Sequence, residues 1–217
     1  MAKTKPRSPS RDGETEQRIL DAAKVVFIRS GTAGARMQEI AEEAGVNQAL
    51  LHYYFRSKER LSEAVFRETA GKMFPAIIQI LGSDVPITEK IDRIIDTYLT
   101  TMSRAPFLPG YIISELHHHP ERITQLLGTV AGGNIADAVR PAFEKLEHQI
   151  TAEVRAGRMR RINASQFFVN LISLCVFPFA ARPMLRAALG LDDDGFAKFI
   201  DQRRKDLPIY IRGAIQS

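Results

Sequence analysis

The sequence predicts an all-α protein: a small N-terminal helix-turn-helix domain of three helices, followed by a larger helical bundle. Three observations carry this. Apolar residues recur at i, i+3, i+4 and i+7, and no segment shows the alternation of period two expected of a half-buried strand. Helix punctuation falls where the stripes end, with Gly31, Gly45 and Gly157 after them and Asn47 and Ser57 ahead of new ones. Hydrophobic residues make up 45% and charged residues 25% of the 217, a balance that buries a core rather than leaving a disordered chain.

The elements follow in order. Residues 1–12 carry Lys3, Lys5, Arg7 and Arg11 among prolines and serines and are expected to form a disordered basic arm. Such an arm is either a solubilising tail or a reach along a phosphate backbone. From Glu14 a stripe of Ile19, Leu20, Ala23, Val26 and Phe27 marks a first helix, stopped by Gly31. Met37, Ile40, Ala41 and Ala44 mark a second, stopped by Gly45, with Val46 turned back to the core. Asn47 is placed to cap a third short helix through its side-chain oxygen, with Leu51 and Phe55 facing inward. Ser57 then caps a longer helix from Lys58, with Leu61, Val65, Phe66, Met73, Ile77 and Ile78 inside and a kink expected at Pro75.

Beyond it, helices are expected over 87–103, 106–118, 121–156 (one long helix or a pair), 164–181 and 194–214. Asp192, Asp193 and Asp194 stand near the start of the last one, where its dipole favours negative charge. The expected domains are the arm over 1–12, the helix-turn-helix over 13–60 and the helical ligand-binding and dimerisation domain over 61–217.

Two short helices joined through a glycine turn, behind a support helix, form a helix-turn-helix. The segment Gln48 to Tyr54 is too short to persist alone, so Leu51 and Phe55 must anchor it. Gln48, Ala49, His52 and Tyr53, and in part Leu50, are left outward. Gln can read adenine with two hydrogen bonds, and Ala or Leu can touch a thymine methyl. Tyr and His can bond phosphates, and Lys58 brings a charge.

At this point the stretch "ILDAAKVVFIRSGTAGARMQEIAEEAGVNQALLHYYFRSKERL", residues 19–61, resembles the tetracycline-repressor (TetR) family of bacterial transcription regulators. The carrying motifs are Ile-Ala, Ala-Gly-Val, Leu, Tyr-Tyr-Phe and Lys-Glu-x-Leu in that order. The resemblance implies that Gln48, Ala49, Leu50 and His52 approach base edges, and that Tyr53, Tyr54 and Lys58 hold phosphates, with Asn47 at the head of the reading helix. Two departures stand out. Ala35 and Arg36 occupy positions where the family often has Thr or Ser, so Arg36 is expected to contact phosphate by charge alone. His52 stands where the family usually has Tyr.

The resemblance also implies a homodimer on a pseudo-palindromic double-stranded operator and release by a small-molecule inducer. Segment 164–181 is apolar nearly all round and, with 194–214, suits pairing between two chains; it can also be the central helix of a single domain. Phe74, Ile78, Tyr98, Met102, Phe107, Tyr111, Ile112 and His117 can line an apolar pocket for an apolar or aromatic ligand, or be plain core. A regulator without an inducer is the alternative.

Other signals are weaker. His117, His118 and His119 are consecutive, so a helix points them apart and they cannot share one metal ion. "GTAGAR" lacks the ending of a phosphate loop. Cys175 is the single cysteine, which excludes an intrachain disulfide and a cysteine-rich zinc site. No nucleophile and base stand at a telling spacing, so neither an enzyme nor a cofactor is expected. "MAKTKPRSPSRDGE" has no apolar run, and 167–181 is too short to span a bilayer. A cytoplasmic location is therefore expected, with no membrane partner. A net charge of +5 fits a polyanionic partner.

Overall fold

The structure, a computed structural model, describes residues 11–216, and residues 1–10 of the expected arm lie outside them. The described chain holds α1 (Arg11–Gly34), α2 (Met37–Ala44), α3 (Gln48–Phe55), α4 (Lys58–Leu81), α5 (Ile87–Arg104) and α6 (Leu108–His118). It continues with α7 (Pro120–Ala131), α8 (Ile135–Arg155), α9 (Ala164–Ala180), α10 (Arg182–Leu189) and α11 (Asp193–Ile215). No strand occurs among the described residues. Two compact units divide between Phe66 and Arg67, inside α4.

In the first unit, Ile19, Leu20, Ala23, Val26 and Phe27 of α1 are buried with Ile40, Ala41 and Ala44 of α2. Leu51 and Phe55 of α3 and Leu61, Val65 and Phe66 of α4 are buried as well. Each Val, Leu, Ile or Phe among them contributes about 1.5–3 kcal/mol when fully buried, and this holds an α3 of only eight residues. The first helix starts earlier than its apolar stripe suggests. Arg11 and Asp12, assigned to the arm by sequence, are helical, and Asp12 and Glu14 place negative charge in the first turn where the dipole favours it. Gly31 breaks the helical path with φ 67 and ψ 166.

In the second unit, one face of α5 is buried, with Ile91, Ile94, Ile95, Tyr98, Leu99 and Met102 pointing inward. α5 packs against α9 and α11. The 121–156 segment is a pair: α7 ends at left-handed Gly132, and Asn134 caps α8 by accepting from the Ala136 N–H at 2.8 Å. α4 runs on through Pro75 without a break in the helix. α10 is a helix not expected from sequence. It is only eight residues long and buries no side chain fully, although Pro183 in its first turn and Gly190 behind it are proper helix punctuation.

Two polar contacts organise this unit. Proline has no N–H, so Pro178 leaves the carbonyl of Leu174, four residues back in α9, without its helical donor. Arg203 of α11 fills the vacancy, donating from Nη2 at 2.7 Å and Nε at 3.1 Å. Lys90 is wholly buried and donates to the carbonyl of Leu81, the last residue of α4. Burial, and then the nearby charge of Lys145, push the Lys90 ammonium below its ordinary pKa, against the pull of Asp84. Asp84 is itself paired with Lys145 at 2.7 Å. Among the described residues, no single helix is long and apolar enough to cross a membrane.

Candidate nucleic-acid interface

The turn between α2 and α3 is built on Gly45, whose φ of 63 is the left-handed region an L side chain resists. Its N–H reaches the Glu42 carbonyl at 3.1 Å, and the Val46 N–H reaches Ala41 at 3.0 Å, closing α2. Asn47 then opens α3 by accepting from the Leu50 N–H at 2.7 Å. With Leu51 and Phe55 buried, Asn47, Gln48, Ala49 and His52 are exposed, Leu50 and Tyr54 are half-buried, and Tyr53 is 77% exposed. Tyr53 and Tyr54 meet edge to face with ring centroids 5.3 Å apart.

α3 ends abruptly. Arg56 is the one described non-glycine residue with positive φ, at 40. Its N–H donates to the His52 carbonyl at 2.9 Å, and its own carbonyl lies 3.2 Å from His52 Nδ1. A carbonyl only accepts, so Nδ1 is the protonated nitrogen, and His52 holds the strained residue from both ends.

Two expected phosphate ligands have partners inside the unit. Tyr54 donates its hydroxyl to Asp12 Oδ1 at 3.2 Å. Partial burial, and then this carboxylate, push the Tyr54 hydroxyl above its ordinary pKa. Lys58 donates to the carbonyls of Ala33 at 2.9 Å and Ala35 at 3.3 Å. Its ammonium thus closes the loop between α1 and α2, a role that spacing alone did not suggest. Arg36 is exposed, and its backbone N–H is held by Glu39 Oε2 at 3.3 Å. Glu39 thereby supplies only the reciprocal half of a capping box, while Ala35 and Arg36 bring no side-chain oxygen to the first N–H groups of α2.

In the second unit, Tyr98, Met102, Phe107 and Tyr111 are buried and Phe74, Ile78 and Ile112 half-buried. His117 departs from the inward position expected of it. It is exposed, its Nδ1 2.9 Å from the Ile113 carbonyl one turn back. His118 makes the same contact with Ser114 at 2.8 Å. A surface hollow of this unit lies between α9 and α11 at Leu174, Phe199, Arg203 and Tyr210.

A short outward helix, seated on a three-helix support and offering amide, imidazole and phenol groups, defines a helix-turn-helix DNA-binding protein. Residues 19–65 match the family described as "Bacterial regulatory proteins, tetR family". The HTH-type transcriptional regulator BetI of Rhizobium meliloti is 36% identical over 197 residues, covering 91% of this chain and 82% of that one. The HTH-type transcriptional repressor Rv3405c of Mycobacterium tuberculosis is 27% identical over 187 residues, 86% of this chain and 84% of that one. A transcriptional regulator from Saccharomonospora viridis, solved in complex with choline, superimposes with a TM-score of 0.63 at 20% identity, covering 94% of this chain and 98% of that one. The chain belongs to the TetR family of bacterial transcriptional regulators.

Proposed function

We propose that this regulator is a homodimeric, cytoplasmic repressor that reads a pseudo-palindromic operator through α3 and leaves it when a small apolar or aromatic ligand binds the second unit. The carrying observation is the surface of α3: Gln48, Ala49 and His52 stand exposed on a helix whose other face is fixed by Leu51 and Phe55. Arg36, Asn47, Leu50, Tyr53, Tyr54 and Lys58 surround them as backbone contacts or supports.

Exposed apolar side chains support the dimer. Val169 and Phe177 of α9 and Ile209 and Tyr210 of α11 are each more than half exposed, a costly display for a lone chain. A matching surface on a second copy, related by a two-fold axis, would cover them. The buried aromatic set of Tyr98, Phe107 and Tyr111 supports an apolar or aromatic ligand, and a relative named as a repressor supports repression.

The test is a mobility-shift titration with DNA upstream of the protein's own coding region against a scrambled duplex. A preference for the upstream DNA that Gln48→Ala erodes at one base pair per half-site is the expected result. Equal binding to both duplexes would overturn sequence-specific reading. A screen of apolar and aromatic compounds by thermal shift, with release of bound DNA as the second readout, tests the ligand. A regulator without an inducer would show no release by any of them.

A further inference from the structure

We propose that His52 is a specificity-determining residue that selects an amino base, adenine or cytosine, over a keto base, guanine or thymine, at one position of each half-site; this rests on the DNA-reading role of α3 proposed above. The first observation is how the ring is held. Its Nδ1 lies 3.2 Å from the Arg56 carbonyl oxygen, and the Arg56 N–H returns to the His52 carbonyl at 2.9 Å. Arg56 keeps a φ of 40 and a ψ of −38, a backbone that an arginine adopts only where its surroundings hold it. The neutral ring has one proton, and the Arg56 carbonyl takes it on Nδ1. Nε2 is left with a bare lone pair and can only accept.

The second observation is which end of the ring is free. His52 is exposed, and no described residue meets Nε2. Gln48, one turn earlier on the same face of α3, is exposed as well. In the major groove the only hydrogen-bond donors are the amines on adenine N6 and cytosine N4, whereas guanine O6 and N7 and thymine O4 are acceptors. The Nε2 lone pair is attracted to an amine and repelled by a keto oxygen. Each base pair carries one such amine, on one of its two strands, so Nε2 reports which strand bears it. The tyrosine that the family resemblance leads one to expect here both donates and accepts, and forces no such choice. A helical turn rises about 5.4 Å and a base step about 3.4 Å. The position read by His52 therefore lies one or two base pairs from the one read by Gln48.

The experiment titrates full-length protein and the variants His52→Ala and His52→Asn against single-base variants of the upstream operator, at about pH 8, above the range in which free imidazole gains a second proton. Asparagine puts its amide nitrogen where Nδ1 stands and nothing where Nε2 stands, so it keeps the Arg56 contact and loses the reader. The unaltered protein is expected to favour adenine or cytosine over guanine or thymine at one position by about threefold to tenfold, less than a two-bond contact gives. Both variants should lose that preference, with the thermal midpoint of His52→Asn unchanged. An adenine replaced there by purine, which lacks the amine, should cost the unaltered protein the same factor. A histidine that only closed α3 would leave His52→Asn with the full preference, and that result would overturn the proposal. A His52-dependent preference for guanine or thymine would overturn it too. Nitrogen-15 NMR of the free protein judges the ring apart from any DNA: a His52 signal with the proton on Nε2 sinks the acceptor role. Equal binding to operator and scrambled duplex, with the proton found on Nδ1, would instead place the failure in the reading role of α3.

Discussion

At the scale of single residues, the reading surface divides into side chains that face outward and side chains already committed within the protein. Gln48 belongs to the first group, and Gln48→Ala should cost about 1–3 kcal/mol against the preferred base pair and little against others, as measured by titrating single-base operator variants. Lys58 belongs to the second. Lys58→Ala removes donors from the Ala33 and Ala35 carbonyls. It should lower the thermal midpoint of the first unit, with a loss of about 1 kcal/mol, and weaken all DNA sequences together. Calorimetry beside a shift assay checks both; an unchanged midpoint would return Lys58 to a purely phosphate-binding role. Sequence exposed Gln48, Ala49 and Tyr53 correctly because Leu51 and Phe55 fix the inner face of so short a helix. It did not reveal the Lys58 and Tyr54 contacts, since their partners lie 25 and 42 positions away in the chain and no local pattern encodes them. Cys175 gives a further test. Burial pushes its thiol up to about 12, only partly offset by Arg203. At pH 8 the thiolate fraction is then on the order of one in ten thousand, so alkylating reagents should leave it intact until the protein unfolds. The sign for stability follows: this contribution is complete below the ordinary thiol pKa and is lost as pH climbs towards 12.

At the scale of helices, α9 and α11 are joined by a compensated defect. Pro178 removes a backbone donor from α9, and Arg203 restores one from outside. Arg203→Ala should cost about 1–3 kcal/mol by orphaning the Leu174 carbonyl. The double change with Pro178→Ala should recover much of that, because alanine returns the missing N–H. Urea unfolding of the four proteins completes the cycle, and additive losses would refute the compensation. The helices themselves were legible wherever an apolar stripe ran three turns or more, as in α1, α5 and α11. α10 escaped because its eight residues give a stripe of barely two turns, and the split of α7 from α8 depended on a left-handed glycine that periodicity does not see.

At the scale of the molecule, the proposed pairing rests on the exposed apolar side chains of α9 and α11. Phe177→Glu and Ile209→Glu should each shift the sedimenting species towards the 24.3 kDa chain and abolish operator binding together with pairing. Monomeric variants that still bind operator at full strength would separate pairing from reading. The early stop of the reading helix at Arg56 has its own effect on addressing. Eight residues rise about 12 Å, enough to scan only some three or four steps of a duplex, a word that recurs by chance every few hundred nucleotides. One head thus holds too little information to single out a promoter in a chromosome, and the address becomes rare only when two such words, at a set distance, must be spelled at once.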